Sequence, residues 1–206
     1  MYSLGDRIAK RFLDVAASAC GLVVLSPVLA ATGVLVKISS PGPVLFRQQR
    51  VGRRKQLFSL FKFRTMRTDT MGLSITADGD RRITPIGRIL RKTKLDELPG
   101  LLNVLLGHMS LVGPRPEVPD YVDGHYAEAW DRVFEVRPGI TDPATIEFRN
   151  EEDLLATADD PERMYVEEIL PHKVSMQLRY IDEASFARDI RVLFETLFVI
   201  VYKLRT

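Results

Sequence analysis

Two adjacent carboxylates, Asp96 and Glu97, are the residues whose type and position most directly suggest chemistry in this chain. They stand in the segment Lys94-Leu95-Asp96-Glu97-Leu98-Pro99. The basic residues close to them on the N-terminal side are Arg88, Arg91, Lys92 and Lys94. A carboxylate can bind a divalent cation, and guanidinium or ammonium groups bind phosphate oxygens. Acids embedded in a basic segment therefore predict a site that handles both a metal ion and a phosphorylated substrate.

Pro99 limits where the following helix can begin, because a proline is tolerated in the first turn of a helix but not in its interior. We expect an apolar helix over 98–106 that starts near Asp96 and ends at Gly107. Asp96 would then lie at or near the N-cap, where free N–H groups and the helix dipole also attract phosphate. A single aspartate at this position is commonly only a cap. The second acid, Glu97, and the neighbouring cations favour the site.

A carboxylate surrounded by cations could act as a nucleophile toward a phosphate group. It can attack phosphorus and form an acyl-phosphate intermediate, while Mg²⁺ neutralises the diphosphate. Arg115 is a candidate phosphate clamp, since it stands in Gly113-Pro114-Arg115-Pro116 and the two prolines restrict its backbone. Arg137, which also precedes a proline, is a weaker candidate for the same role. An exposed arginine on a rigid turn is the alternative for Arg115.

The N-terminal region contains 22 uncharged residues, from Val15 to Val36. This length is enough for a transmembrane helix, but Ser26-Pro27 interrupts it. Basic residues flank both ends, and the positive-inside tendency keeps such flanks on the cytoplasmic side. A helix over 15–26 would measure only ~18 Å, against a bilayer core of about 30 Å. We therefore predict a re-entrant helix–break–helix; a spanning helix with a proline kink is the alternative.

Charge is strongly segregated along the chain, although the net charge is only +2. Residues 40–100 carry 14 Lys/Arg against 5 Asp/Glu, whereas residues 117–189 carry 7 against 19. The basic part is suited to an anionic ligand or an anionic lipid surface. The acidic part is typical of a solvated face. We expect no nucleic-acid partner.

The remaining pattern predicts a mostly helical α+β chain. Segments 44–51 and 56–66 predict a β-hairpin around Gly52-Arg53-Arg54-Lys55, with Lys62, Arg64 and Arg67 facing solvent or an anion. Residues 68–80 predict a polar loop, and 82–92 a short basic helix. We expect a membrane segment over 1–39 and one catalytic unit over 40–206.

The C-terminal segment 192–202 has an apolar stripe flanked by basic residues. This pattern is typical of an amphipathic helix lying in a membrane interface. A terminal helix that docks on the protein core explains the pattern equally well.

Several short motifs, in one order along the chain, resemble those of the bacterial sugar transferases. The closest likeness is to the monotopic phosphoglycosyl transferases, whose small members resemble the initiating enzyme of bacterial N-glycan assembly. The matching segments are 10–14, Ser26-Pro27, 42–46, 61–66, 95–99, 109–116 and 137–141. An ordered series of motifs is more specific than any one of them.

The resemblance implies that a sugar-1-phosphate moves from a nucleoside diphosphate sugar, commonly a UDP-sugar, to a polyprenol phosphate, with release of UMP. It implies Asp96 as the nucleophile with Mg²⁺ beside it, and Glu97 as its partner. It implies positions near the active site for Lys62, Arg91 and Arg115. It also implies that Ser26-Pro27 is a re-entrant break and that the chain lies on the cytoplasmic face of the bacterial inner membrane. Pairing of two copies as a homodimer is left open.

Two residues depart from the pattern of many relatives: His108 stands where they have aspartate, and Asp142 where they have glycine. The loop with Asp142 could touch the sugar. The rival to the enzyme interpretation is a non-catalytic module that binds anionic lipid through its basic part, with Asp96 as a cap.

Overall fold

Helices form most of the chain in the computed structural model, which describes residues 2–67 and 80–203. The helices are α1 (Leu4–Val24), α2 (Ser26–Ser39), α3 (Pro85–Thr93), α4 (Gly100–Leu105), α5 (Pro119–His125), α6 (Pro143–Glu147), α7 (Glu151–Ala156), α8 (Pro161–Met164), α9 (Leu170–Asp182) and α10 (Phe186–Lys203). The strands are β1 (Leu45–Val51), β2 (Leu57–Phe63), β3 (Ser110–Val112) and β4 (Gly139–Thr141). A mostly helical α+β chain is confirmed. Of the loop predicted over 68–80, all but Asp80 lies outside the described residues.

The N-terminal helices α1 and α2 meet at Leu25 with a bend of 64°. Pro27 stands in the first turn of α2, where its missing N–H costs no helix hydrogen bond. The Ser26 hydroxyl donates to the Val23 carbonyl at 2.8 Å, which satisfies an acceptor at the end of α1. The predicted helix–break–helix is confirmed as a shape. Its behaviour in a membrane stays a prediction.

Within the described residues, none of the helices taken singly has the length and apolar character needed to cross a bilayer. By length and composition alone, the bent pair α1–α2 taken together is long and apolar enough to cross one.

Polar side chains on α1 attach it to the rest of the molecule. Arg11 donates to the carbonyls of Val104 and Leu105 in α4, at 2.8 and 3.2 Å. Asp14, which is buried, accepts from the Ser110 hydroxyl and the Leu111 N–H in β3. The charged motif at 10–14 therefore fixes the orientation of α1 against the segments that lead into the site.

Strands β1 and β2 form the predicted antiparallel hairpin, with Leu45 paired to Phe63 and Val51 to Leu57. A 3₁₀ turn over Arg53–Lys55 connects them. Within β2, Leu60 and Phe63 are buried, whereas Leu57 is 60% exposed.

Arg64 corrects one expectation, because it is buried rather than solvent-facing and its guanidinium is hydrogen-bonded within the protein. It is 4% exposed, and its guanidinium donates to the carbonyls of Ser40, Pro41 and Pro43 at 2.5–2.8 Å. A buried guanidinium needs such acceptors. Arg64 therefore holds the end of α2 against the hairpin.

The segments 109–116 and 137–141 contain a parallel strand pair, β3 and β4, with Ser110 opposite Gly139. Two glycines allow the close approach beside it. A Cβ on Gly113 would lie 2.4 Å from the Arg137 carbonyl oxygen, and one on Gly139 would lie 2.2 Å from the Gly113 nitrogen. Only glycine fits at such distances. This contact positions the loop that carries Arg115.

The acidic part of the chain forms helices around the main hydrophobic core. Its fully buried members include Leu155, Leu170, Val174, Tyr180 and Ile181. The helix α8 continues through a π turn over Tyr165–Ile169 into α9. The C-terminal helix α10 shows two faces: Val192 is buried in this core, whereas Phe194, Leu197 and Phe198 are 58–70% exposed. One face of α10 thus docks on the protein, and its other apolar face stays open.

Candidate active site

Asp96 lies in a 3₁₀ turn, Leu95–Glu97, between α3 and α4. The turn is set by Lys94, whose φ of 58° reverses the chain after α3. The predicted N-cap position of Asp96 is wrong, because α4 begins only at Gly100, with Pro99 before it and no side-chain cap. Gly107, with a φ of +84°, follows the end of this helix as expected. The short helix is displaced because Pro99 continues the 3₁₀ geometry rather than starting an α-turn.

The carboxylate of Asp96 is buried, and one of its oxygens lacks a hydrogen-bond partner among the described residues. The residue is 7% exposed, and its Oδ1 has no hydrogen-bond partner within the described parts of the chain. Buried carboxylate oxygens are normally paired, so an unpaired one marks a site of strain, catalysis or ligand binding.

Glu97 is held from two sides. Its Oε1 accepts from Lys62 Nζ at 3.1 Å and from Arg115 Nη2 at 2.7 Å, and its Oε2 lies 3.4 Å from Arg115 Nη1. Lys62 comes from β2, and Arg115 from the loop after β3. The structure thus joins three residues that are far apart in sequence into one ion cluster beside Asp96.

The two acids differ in electrostatics. Burial, and then the charge of Glu97, raise the pKa of Asp96 to about 6, while Lys62, Lys94 and Arg91 oppose the rise. Burial also raises the pKa of Glu97, but Arg115 and Lys62 outweigh it and hold that pKa well below its usual range. Glu97 is thus a permanent anion, whereas Asp96 can gain or lose a proton close to neutral pH.

A cavity of about 520 Å³ opens over these residues, between the hairpin, α3, the loop 115–118 and the helices α7 and α9. Arg91 lines it and forms an ion pair with Glu152 of α7, with 3.5 Å between Nη1 and Oε1. The cationic residues along its described walls are Arg50, Lys62, Arg64, Arg67, Arg82, Arg91, Lys94, Arg115 and Lys173. They outnumber the acids there, which are Asp96, Glu97, Glu117, Glu151 and Glu152. Such a cavity attracts polyanions.

The structure does not bring every candidate to this cavity. Arg137 is absent from the described walls, and its Nε donates to the Gly107 carbonyl at 2.8 Å. His108 is likewise not part of these walls; its ring packs near Phe58, with centroids 5.9 Å apart. Asp142 is fully buried in the protein interior rather than in the cavity wall.

A second cluster of polar side chains lines the cavity, and the sequence did not predict it. Glu117 accepts from Arg50 Nη1 at 3.2 Å and from the Tyr165 hydroxyl at 2.5 Å. Lys173 forms an ion pair with Glu151 at 2.7 Å, and its ammonium lies 5.1 Å from the Tyr165 ring centroid. These residues come from five segments, and no local motif indicates that they meet.

A family model described as bacterial sugar transferase matches residues 5–203. The chain belongs to the bacterial sugar transferase family. It is therefore an enzyme of the transferase class.

Among relatives of this bacterial sugar transferase, the exopolysaccharide production protein PSS of Rhizobium leguminosarum bv. phaseoli is 38% identical, over 93% of this chain and 94% of the relative. The undecaprenyl-phosphate glucose phosphotransferase of Komagataeibacter xylinus is 40% identical, over 93% of this chain. The UDP-glucose:undecaprenyl-phosphate glucose-1-phosphate transferase of Escherichia coli (strain K12) is 37% identical, over 94% of it. The chain spans only 36% and 40% of the length of these last two relatives.

The sugar transferase site offers few side chains that could bind a metal ion. In the described parts of the chain, no three His, Cys, Asp or Glu side chains are grouped to hold one. Magnesium does not require such a group, because it commonly binds one or two carboxylates and takes water and substrate phosphates as its other ligands. The unpaired Oδ1 of Asp96 is a suitable single protein ligand.

Proposed function

We propose that this bacterial sugar transferase moves a sugar-1-phosphate from a nucleoside diphosphate sugar, in particular a UDP-sugar, to a polyprenol phosphate of the undecaprenyl kind. Asp96 carries the phosphosugar as a covalent intermediate, and UMP is the first product. The observation that carries the proposal is the buried carboxylate of Asp96, whose Oδ1 has no partner among the described residues, in a predominantly cationic cavity. Two of the relatives are named for this type of transfer from or to such substrates.

The reaction proceeds in two displacements at one phosphorus atom. A carboxylate oxygen of Asp96 attacks the phosphorus that bears the sugar, and the bond to the bridging oxygen breaks, so that UMP leaves with the electron pair. A phosphate oxygen of the polyprenol phosphate then attacks the same phosphorus and releases the carboxylate. The product is a polyprenyl diphosphate sugar, and Asp96 is regenerated.

The neighbouring residues supply charge and position. Lys62 and Arg115, both hydrogen-bonded to Glu97, offer N–H groups to the diphosphate, and Arg91 exchanges Glu152 for a phosphate oxygen. Glu97 keeps the two cations in place and raises the pKa of Asp96, which makes the ionised carboxylate a better nucleophile. Mg²⁺, held through Asp96, would neutralise the diphosphate and stabilise the leaving group.

We further propose that the chain acts at the cytoplasmic face of the bacterial inner membrane. The bent pair α1–α2 would enter one leaflet and return, and the exposed apolar face of α10 would lie in the interface. Polar anchors from α1 to β3 and α4 support this arrangement, because they tie a lipid-embedded helix to the segments around the cavity. A lipid phosphate could then reach the site without leaving the bilayer.

The test is Asp96→Asn, which keeps the size of the side chain and removes its nucleophilicity. We expect UMP release from a UDP-sugar, with polyprenol phosphate and Mg²⁺ present, to fall by about 10³-fold or more. Asp160→Asn, at an exposed N-cap of α8, is the control and should keep full activity. Retained turnover in Asp96→Asn would reject the nucleophile and favour a non-catalytic role for this residue.

Intact-mass analysis separates the covalent route from direct attack by the lipid phosphate. With a UDP-sugar and no acceptor lipid, the covalent route adds one sugar phosphate to the wild-type chain and none to Asp96→Asn. An active enzyme that shows no adduct and no acceptor-independent UMP release would favour direct displacement.

A further inference from the structure

Asp142 is a fully buried carboxylate that sits behind the active site rather than in it. Its Oδ1 accepts from the Thr145 N–H at 2.6 Å, which caps helix α6. Its Oδ2 accepts from the Arg115 backbone N–H at 3.1 Å and from Gln177 Nε2 of α9 at 3.0 Å. One side chain thereby connects α6, α9 and the loop that carries Arg115.

The connection to Arg115 leads directly to the ion cluster. The guanidinium of Arg115 is bonded to Glu97, and Glu97 lies beside the proposed nucleophile. Arg115 is followed by Pro116 and preceded by Pro114, so Asp142 holds the single backbone N–H in that tripeptide. A rigid loop with one anchored N–H has few ways to shift its arginine.

A capping role alone does not require this arrangement. The Asp160-Pro161 pair caps α8 in the same way, through the Arg163 N–H at 3.0 Å, and Asp160 is exposed. Asp142 performs the same local task but is buried and makes two further bonds. Burying a carboxylate is costly unless its oxygens are paired, so the extra bonds indicate a demand beyond the cap.

We propose that Asp142 is a positioning residue for Arg115. It fixes the loop 113–116 so that the guanidinium meets Glu97 and the phosphates of the donor, and Gln177 orients its carboxylate. A glycine at this position would offer no side-chain acceptor, so the hydrogen bond from the Arg115 N–H depends on the aspartate side chain. This inference rests on the proposed function for the identity of the ligand.

The experiment is a double-mutant cycle on Asp142→Asn and Arg115→Ala. Asparagine retains one oxygen for the cap but cannot accept all three hydrogen bonds. Donor affinity is measured by calorimetry with a UDP-sugar and Mg²⁺, in an Asp96→Asn background that blocks turnover. We expect Asp142→Asn to weaken binding about tenfold when Arg115 is present and less than twofold when it is absent. An equal loss in both backgrounds would overturn the proposal, since the effect would then not pass through Arg115.

Two further variants keep the test decisive if Asp142→Asn folds poorly. Gln177→Leu removes the hydrogen bond from Gln177 to Asp142, and we expect a two- to threefold loss of affinity that again disappears with Arg115→Ala. Gln177 also lines the cavity, and a direct contact with the donor would persist without Arg115. Asp160→Asn, the matched cap, should bind the donor like the parent protein. A Gln177→Leu effect that persists without Arg115 also counts against the proposal. Failure of the proposed nucleophile would appear separately, as turnover in Asp96→Asn.

Discussion

Asp189 and Asp96 are both buried aspartates, yet they lie in opposite environments. Asp189, on α10, is 1% exposed and receives hydrogen bonds from Lys10 at 2.7 Å and from the hydroxyls of Tyr2 and Tyr180. Asp96 is 7% exposed and has an oxygen with no partner within the described residues. Both oxygens of Asp189 accept hydrogen bonds within the protein, whereas Oδ1 of Asp96 is available to a ligand.

The difference shows how the same residue type serves structure or chemistry. A buried charge that is fully paired holds elements together, and here it joins α1, α9 and α10. A buried charge that lacks a partner costs stability and gains reactivity. The two sites can therefore be separated by variants that move stability and activity in different directions.

The largest effect is expected for Asp189→Ala. The change removes the acceptor that the partly buried Lys10 ammonium shares with the hydroxyls of Tyr2 and Tyr180, which costs about 3 kcal/mol of unfolding free energy. Thermal or denaturant unfolding in detergent would measure it. The control is Asp182→Ala, at an exposed ion pair with Arg132, which should leave the unfolding free energy almost unchanged. Equal losses of unfolding free energy in the two variants would contradict the structural role of Asp189.

Asp96→Asn should act in the opposite direction on stability. The folded state raises the pKa of Asp96 from 3.8 to about 6, so ionisation penalises folding increasingly between these values and fully above pH 6. Removing the charge should stabilise the fold at pH 8 by on the order of 2 kcal/mol, since one pKa unit is worth about 1.36 kcal/mol. The gain should vanish below about pH 4. Unfolding curves at both pH values measure it, and a loss of stability at pH 8 would show that the carboxylate is structurally paired.

The pH dependence of activity should reveal the same group. As the proposed nucleophile, Asp96 would have to be ionised to attack, so kcat/KM should be level above its pKa of about 6 and fall about tenfold for each pH unit below it. Steady-state UMP release from pH 4.5 to 8 would measure this limb. Glu97 does not produce it, because its pKa lies well below the usual range. A kcat/KM that stays level down to pH 4.5 would contradict the raised pKa of Asp96.

The smallest effect is expected for Glu152→Gln. The ion pair of Glu152 with Arg91 is partly exposed and must yield when a donor phosphate binds Arg91, so its removal should lower the KM for the UDP-sugar two- to threefold. The value of kcat should change little. Glu167→Gln, in an exposed pair with Arg163, is the control. A raised KM would show that Glu152 contributes to donor binding itself.

The sequence allowed the parts of the fold with local signals to be predicted. A proline in an apolar run predicts a break, and the β-rich segments around 52–55 predict the hairpin; both are present. Basic surroundings indicated the two acids of the site, Asp96 and Glu97. The resemblance indicated Lys62, Arg91 and Arg115 as their neighbours. All five residues line one cavity. Their chemical roles remain predictions.

The expectations that were wrong depended on non-local contacts. Arg64 looked like a solvent or ligand cation, but its acceptors are carbonyls 21–28 residues away in sequence. Asp96 looked like a helix cap, but the chain inserts a 3₁₀ turn before α4. The parallel pairing of β3 with β4 could not be foreseen, because three-residue strands have no periodicity to detect.

Residue types and their spacing were enough to identify the groups that could do chemistry: two adjacent acids, a surplus of cations around them, and an arginine between prolines. Which of the two acids is fully hydrogen-bonded and which is open depends on the three-dimensional fold. It pairs Glu97 with Lys62 and Arg115, leaves Asp96 Oδ1 without a described partner, and pairs Asp142 with Arg115 and Gln177 behind the site. The reason is physical, since burial and hydrogen-bond partners set the charge state of a carboxylate, and both come from residues distant in the chain.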